Sequence, residues 1–218
     1  MAASRTSSQE AQEGQELPVR GAPSLRADGA RNRRAILEAA RRLFGEEGTA
    51  NVRVADVARE AGVGKATVFR HFGDRSGLVV ALLDNEDREL QEQILRGPPP
   101  LGPGAPPCER LQAFLDALVD LLERFGDLMF DAENAKPAAR YRIGSYHAWR
   151  QHVTILLSEA NAAGADPVVL AHALLAPLAA DLFVHLRVDV GVGGAAYRAA
   201  VHALARGVCD KSAPDPVP

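Results

Sequence analysis

The side chains best equipped for chemistry lie in one run of twenty residues, 53–72, which reads RVADVAREAGVGKATVFRHF. If its second half is helical, Val68 and Phe72 form an apolar stripe and Lys65, Ala66, Thr67, Arg70 and His71 are left outside it. Lys, Thr, Arg and His supply donors for phosphates and base edges, and a small residue at the helix start lets the backbone approach a groove. Arg53 and Arg75 stand at the starts of the two adjoining helices, where free N–H groups already favour phosphate. A plain helix corner would use the same packing residues. The exposed face is what favours nucleic acid.

Other chemistry finds no residues. Of the six histidines, His147 and His152 are closest to a ligand spacing, but i, i+5 does not face one point on a helix and no Cys or Glu completes a set. No metal is expected. With no Gly-rich phosphate loop, no Ser-His-Asp order and no paired-carboxylate motif, neither catalytic residues nor a cofactor are expected.

Cys108 and Cys209 are too few for a secreted framework and lack metal spacing, and a chain of 218 residues buries enough core to need no staple. Residues 1–30 contain no apolar leader, so a reducing cytoplasm is the expected compartment. The longest apolar run, 168–186, is interrupted by His172, Pro177, Asp181 and His185, which suits a buried interface helix better than a membrane span.

Net charge is only −3, yet it is unevenly spread. Residues 26–76 hold 11 Lys and Arg against 7 Asp and Glu, whereas residues 77–218 hold 12 against 18. A polyanion senses the local face and not the total.

The elements that must position this face read as helices throughout. Residues 1–28 have no period and are expected to be a disordered arm ending in the basic cluster Arg26, Arg31, Arg33 and Arg34. Ile36, Leu37, Ala40, Leu43 and Phe44 mark one helical stripe over 32–44. Two short helices follow within 53–72, then one from Arg75 to about Leu95 capped by Asp74. The stretch GPPPLGPGAPP at 97–107 is a loop. Long helices are expected over 109–130, 138–163, 167–188 and 195–209, the third opened by Asp166-Pro167. The chain is therefore expected to be all-α with about nine helices, in four parts: the arm, a DNA-binding domain at 29–76, a regulatory and dimerisation domain at 77–210, and a disordered tail at 211–218.

Three positions in the run are fixed by sterics: Ala58 where two helices cross, Gly62 in the turn, and Val68 in the angle between the helices. The run AILEAARRLFGEEG followed by VADVAREAGVGKATVFRHFGDRSGL resembles the DNA-binding domain of TetR-family regulators over about residues 31–83. The resemblance implies that Lys65, Thr67, Phe69, Arg70, His71 and Arg75 touch DNA. Position 69 is Phe where the family usually has Tyr, position 66 is Ala where Gly is common, and position 53 is Arg where a Ser or Thr cap is usual.

It also implies a helical second domain that dimerises through its last two long helices, at 167–188 and 195–209, and encloses a small-molecule pocket. The leucines at 170, 174, 175, 178, 182 and 186 agree with burial on two sides, although the same stripes could close a monomeric core. Pocket candidates are Phe125 and Met129 with Tyr141, Ser145, Trp149, His152 and Leu156; such a stripe is also what plain core looks like. The reading that follows is a homodimeric, non-enzymatic repressor that binds a palindromic double-stranded operator and is released by an unknown small-molecule effector. An activator of the same fold, or a helical interaction protein without DNA binding, is the alternative.

Overall fold

The computed structural model describes residues 25–48, 51–134, 136–161 and 165–210. Among them there is no strand, and nine α-helices follow in order: α1 Leu25–Glu47, α2 Val54–Glu60, α3 Lys65–Phe72, α4 Arg75–Arg96, α5 Pro107–Asn134, α6 Gly144–Glu159, α7 Pro167–Leu175, α8 Ala180–Val184 and α9 Gly194–Cys209. The stripe Ile36, Leu37, Ala40, Leu43 and Phe44 is buried as its spacing requires, and it shares one continuous core with Val57, Val68, Leu78 and Leu82 from the next three helices.

Two sequence expectations change at the N-terminal end. Helix α1 already begins at Leu25, so the basic cluster at 31–34 lies on a helix and not on an arm; the rest of the expected arm and the tail at 211–218 lie outside the described residues. Arg31 pairs with Asp28, and Arg33 covers the Phe72 ring at 4.8 Å. The first partner is one turn away along α1, whereas the second ties α1 to α3.

Helix α5 is the axis of the second half, packing against α4, α6, α8 and α9. It carries a kink at Phe125, whose φ of −134° and ψ of 19° leave the helical region. Helix α9 runs antiparallel along it: Arg198 bonds Asp116 at 3.0 Å and Asp120 at 2.6 Å, and His202 meets Asp116 at 2.6 Å. That direction brings the end of α9 to the start of α5, where Cys108 and Cys209 form a disulfide with a Cα–Cα distance of 6.0 Å. Composition gave these cysteines no structural part. Helix packing, which composition does not see, joins them.

The helix expected over 167–188 is broken. Helix α7 ends at Leu175, a 3₁₀ turn follows at Ala176–Leu178, and α8 passes into a π turn at His185–Asp189. Pro177 has no N–H to continue the ladder. The groups freed by the break are taken up by a buried ion pair: Arg140 donates to Leu175 O at 2.9 Å, and Glu133, bonded to Arg140, accepts from Ala180 N at 2.9 Å. By length and composition Pro167–Asp189 could cross a membrane, and 33% of its apolar window is buried within the chain. Likewise the helix expected over 138–163 splits into a 3₁₀ turn at Arg140–Arg142 and α6.

Candidate nucleic-acid interface and adjoining cavity

Helix α2 begins at Arg53, whose backbone N–H donates to Asp56 Oδ2 at 3.2 Å. The cap is therefore made by Asp56; the arginine side chain, exposed and without an acceptor, stays available to solvent. The turn into α3 is closed by Gly62 N to Arg59 O at 3.2 Å and Val63 N to Ala58 O at 3.0 Å. Gly62 has φ +64° with open space around its Cα, so backbone conformation and not crowding asks for glycine there. Ala58 and Val68 are buried where the helices cross.

This packing leaves Lys65, Ala66, Phe69 and Arg70 exposed on α3, with Thr67 half-buried beside them. Phe69 is 44% exposed, because the core face of α3 is taken by Val68 and Phe72. His71 is turned inward: it lies over α1 near Gly29, and its Nε2 is buried without a hydrogen-bond partner. Arg75 stands at the start of α4, over the Phe44 ring at 5.5 Å, and Asp74 caps that helix by accepting from Gly77 N at 2.8 Å. A Cβ on Gly77 would come within 2.0 Å of Phe72 O, so α3 and α4 meet backbone to backbone. The exposed face of α3 thus comprises Lys65, Ala66, Phe69 and Arg70, with Arg53 and Arg75 at its flanks.

One face of α4 continues this geometry inward. Glu86 is 4% exposed and lies 3.2 Å from Arg41 of α1 and 3.5 Å from Arg124 of α5. Burial raises its carboxyl above the usual range, against the pull of the two guanidinium groups. The neighbouring face of α4 presents Val80, Leu83, Asp84 and Asp87 to a cavity of about 190 Å³ that is closed by α5 and α6. Burial lifts the Asp87 carboxyl to about 6, with Ser145 bonded to it.

Of the seven pocket candidates read from sequence, Met129, Ser145 and Trp149 line this cavity, and Leu156 is enclosed in the core. His152 lines a separate groove on the far side of Trp149, edge-on to Phe114 at 4.9 Å, and burial lowers its imidazole to about 4. Phe125 is enclosed in the core at the kink of α5. Tyr141 is exposed, on the 3₁₀ turn before α6, and packs on Tyr146 at 5.2 Å. Sequence reasoning missed Asp84, Asp87 and Glu133. Among the described residues no group of three His, Cys, Asp or Glu is arranged to hold a metal ion.

Comparison with known proteins matches a family model to the N-terminal part of the chain and a fold to most of its length. A family model for bacterial regulatory proteins of the tetR family matches residues 36–82. An HTH-type transcriptional regulator of Staphylococcus aureus strain USA300 is 39% identical over 62 residues, a match spanning 28% of this chain and 34% of that protein. Among solved structures, a TetR-family regulator from Rhodococcus sp. is similar over 82% of this chain and 99% of its own, with TM-score 0.61 at 21% identity. A TetR-family regulator from Streptomyces coelicolor covers 83% and 97%, with TM-score 0.58 at 23% identity. A transcriptional regulator from Saccharomonospora viridis, solved in complex with choline, covers 80% and 95%, with TM-score 0.62 at 22% identity. At these identities the structures share the fold.

Proposed function

Because the chain belongs to the TetR family of bacterial transcriptional regulators, we propose that it binds double-stranded DNA through α3 and acts as a non-catalytic repressor. The observation that carries this reading is the exposed face of α3, where Lys65, Ala66, Phe69 and Arg70 have no packing role and Arg53 and Arg75 flank them with positive charge. Phosphate contacts from the flanks would set register, and the α3 face would read base edges. Its operator differs in detail from those of relatives, because Phe69 lacks the phenol hydroxyl of the usual Tyr and Ala66 adds a methyl where Gly is common.

The reading includes a homodimer. Leu182 and Val188 are exposed on and after α8, and Ala196, Ala200 and Leu204 form an exposed i, i+4, i+8 row on α9 while Tyr197 and Val201 face the core. Two such pairs of helices would bury these rows as a four-helix bundle. Two copies of α3 held about one DNA turn apart, ~34 Å, would match a palindrome. A small molecule in the cavity beside α4 would favour a different separation and release the operator. The Saccharomonospora viridis regulator, with its choline, supports a small-molecule effector on this fold. A DNA-bound regulator of this kind works in the cytoplasm.

Selection of bound fragments from genomic DNA, including the region upstream of the chain's own gene, tests the reading. Enrichment of a palindromic sequence is expected. Recovery of fragments at the level of non-specific DNA would overturn it.

A further inference from the structure

Resting on the effector reading above, we propose that the cavity between α4, α5 and α6 takes a small organic cation. The charge of the walls is the first argument. Asp84, Asp87 and Glu133 line the cavity and, among the described residues, no Lys, Arg or His does. Glu133 is already matched by Arg140 and by the Ala180 N–H. Asp84 and Asp87 stand one helical turn apart on the same face of α4, and Asp87 is bonded to the neutral hydroxyl of Ser145 with the like charges of Asp84 and Glu86 nearby. A largely buried carboxylate beside like charges is costly, and a cation in the cavity would offset that cost.

The second argument is the aromatic wall. Trp149 lines the cavity at 4% exposure, and a tryptophan ring attracts a cationic head. Leu121, Met129 and Val80 supply apolar walls that suit an alkylated ammonium and not a hydrated metal ion, which needs a shell of oxygens. The volume fits a molecule of modest size. At about 190 Å³ the cavity somewhat exceeds the ~150 Å³ that holds benzene.

Trp149 is the one tryptophan of the chain, so its fluorescence reports on this wall without labelling. The full chain is titrated with 3-hydroxyphenyltrimethylammonium, with its neutral shape-match 3-tert-butylphenol, and with the anion 3-tert-butylbenzoate. The cation is expected to bind at least tenfold more tightly than the phenol, and the anion more weakly than either. Asp84→Asn with Asp87→Asn removes that preference; Asp84→Asn alone, at an exposed position, weakens it by a smaller factor and guards against a misfolded double variant. Equal affinity for cation and phenol, or a preference that survives the double variant, overturns the proposal. Operator selection on the same preparation separates the two readings: enriched operator without cation preference refutes only the effector class, and cation preference without enriched DNA refutes only the regulator.

Discussion

Arg41 on α1 and Glu86 on α4 lie 3.2 Å apart, and this pair joins the bundle that presents α3 to the helix that lines the cavity. Arg124 approaches the same carboxylate from α5 at 3.5 Å, beside the kink at Phe125. One buried charge therefore has three helices around it. Removing Arg41 leaves that charge with a single, longer partner, and Arg41→Ala is expected to lower unfolding free energy by about 3 kcal/mol in a denaturant titration. Glu86→Gln removes the charge itself and is expected to cost about 1 kcal/mol. Equal losses would mean that Arg41 acts by packing alone.

Asp87 gives a pH signature. Its carboxyl is lifted from 3.8 to about 6, so the folded chain holds this proton over a range in which the unfolded chain has released it. Stability contributed at this site therefore falls as pH rises from 3.8 through about 6, and the loss is complete above that. Asp87→Asn, which does not titrate, is expected to raise stability at pH 7 by on the order of 1 kcal/mol, after discounting for partial solvent access, and to match the parent at pH 4. Thermal melts at the two pH values read the difference; a variant less stable than the parent at pH 7 would remove the burial cost from the argument.

The flank of the recognition face can be probed without disturbing its fold. Since the α2 cap is formed by the Asp56 carboxylate and the Arg53 backbone, Arg53→Ala should leave stability within about 0.5 kcal/mol of the parent. It should nonetheless reduce the salt dependence of operator binding by about one phosphate contact, and Lys65→Ala likewise. Unchanged affinity and salt slope in Arg53→Ala would exclude a phosphate contact at that position.

The disulfide separates two otherwise identical chains. Cys108 and Cys209 are 101 residues apart, and on chain-entropy grounds closing such a loop contributes about 2 to 5 kcal/mol. The oxidised chain is expected to unfold at higher denaturant than the reduced one, and Cys209→Ser should match the reduced chain under both conditions. A reduced chain as stable as the oxidised one would leave the link without a stabilising part.

The helix-turn-helix was legible because sterics at Ala58, Gly62 and Val68 allow few alternatives, and all three lie within one short run. What escaped the sequence depends on partners far along the chain. Pro177 was visible, but a helix break there becomes tolerable only through Glu133 and Arg140, whose bonds reach 47 and 35 residues away. Tyr141 shared a helical register with Ser145 and Trp149 until the 3₁₀ turn at 140–142 took it off that face. Asp84 and Asp87 look, by composition, like any solvated face of a helix. Only the placement of α6 makes that face a wall.

The backbone contact between Gly77 and Phe72 leaves the joint of α3 and α4 without slack, which turns α4 into a lever. A helix of 22 residues is ~33 Å long, so tilting it by about 5° about its far end carries α3 sideways by about 3 Å. Adjacent base pairs are 3.4 Å apart along the duplex axis. A displacement of a few degrees at the cavity would thus move the reading head by almost one letter of its text.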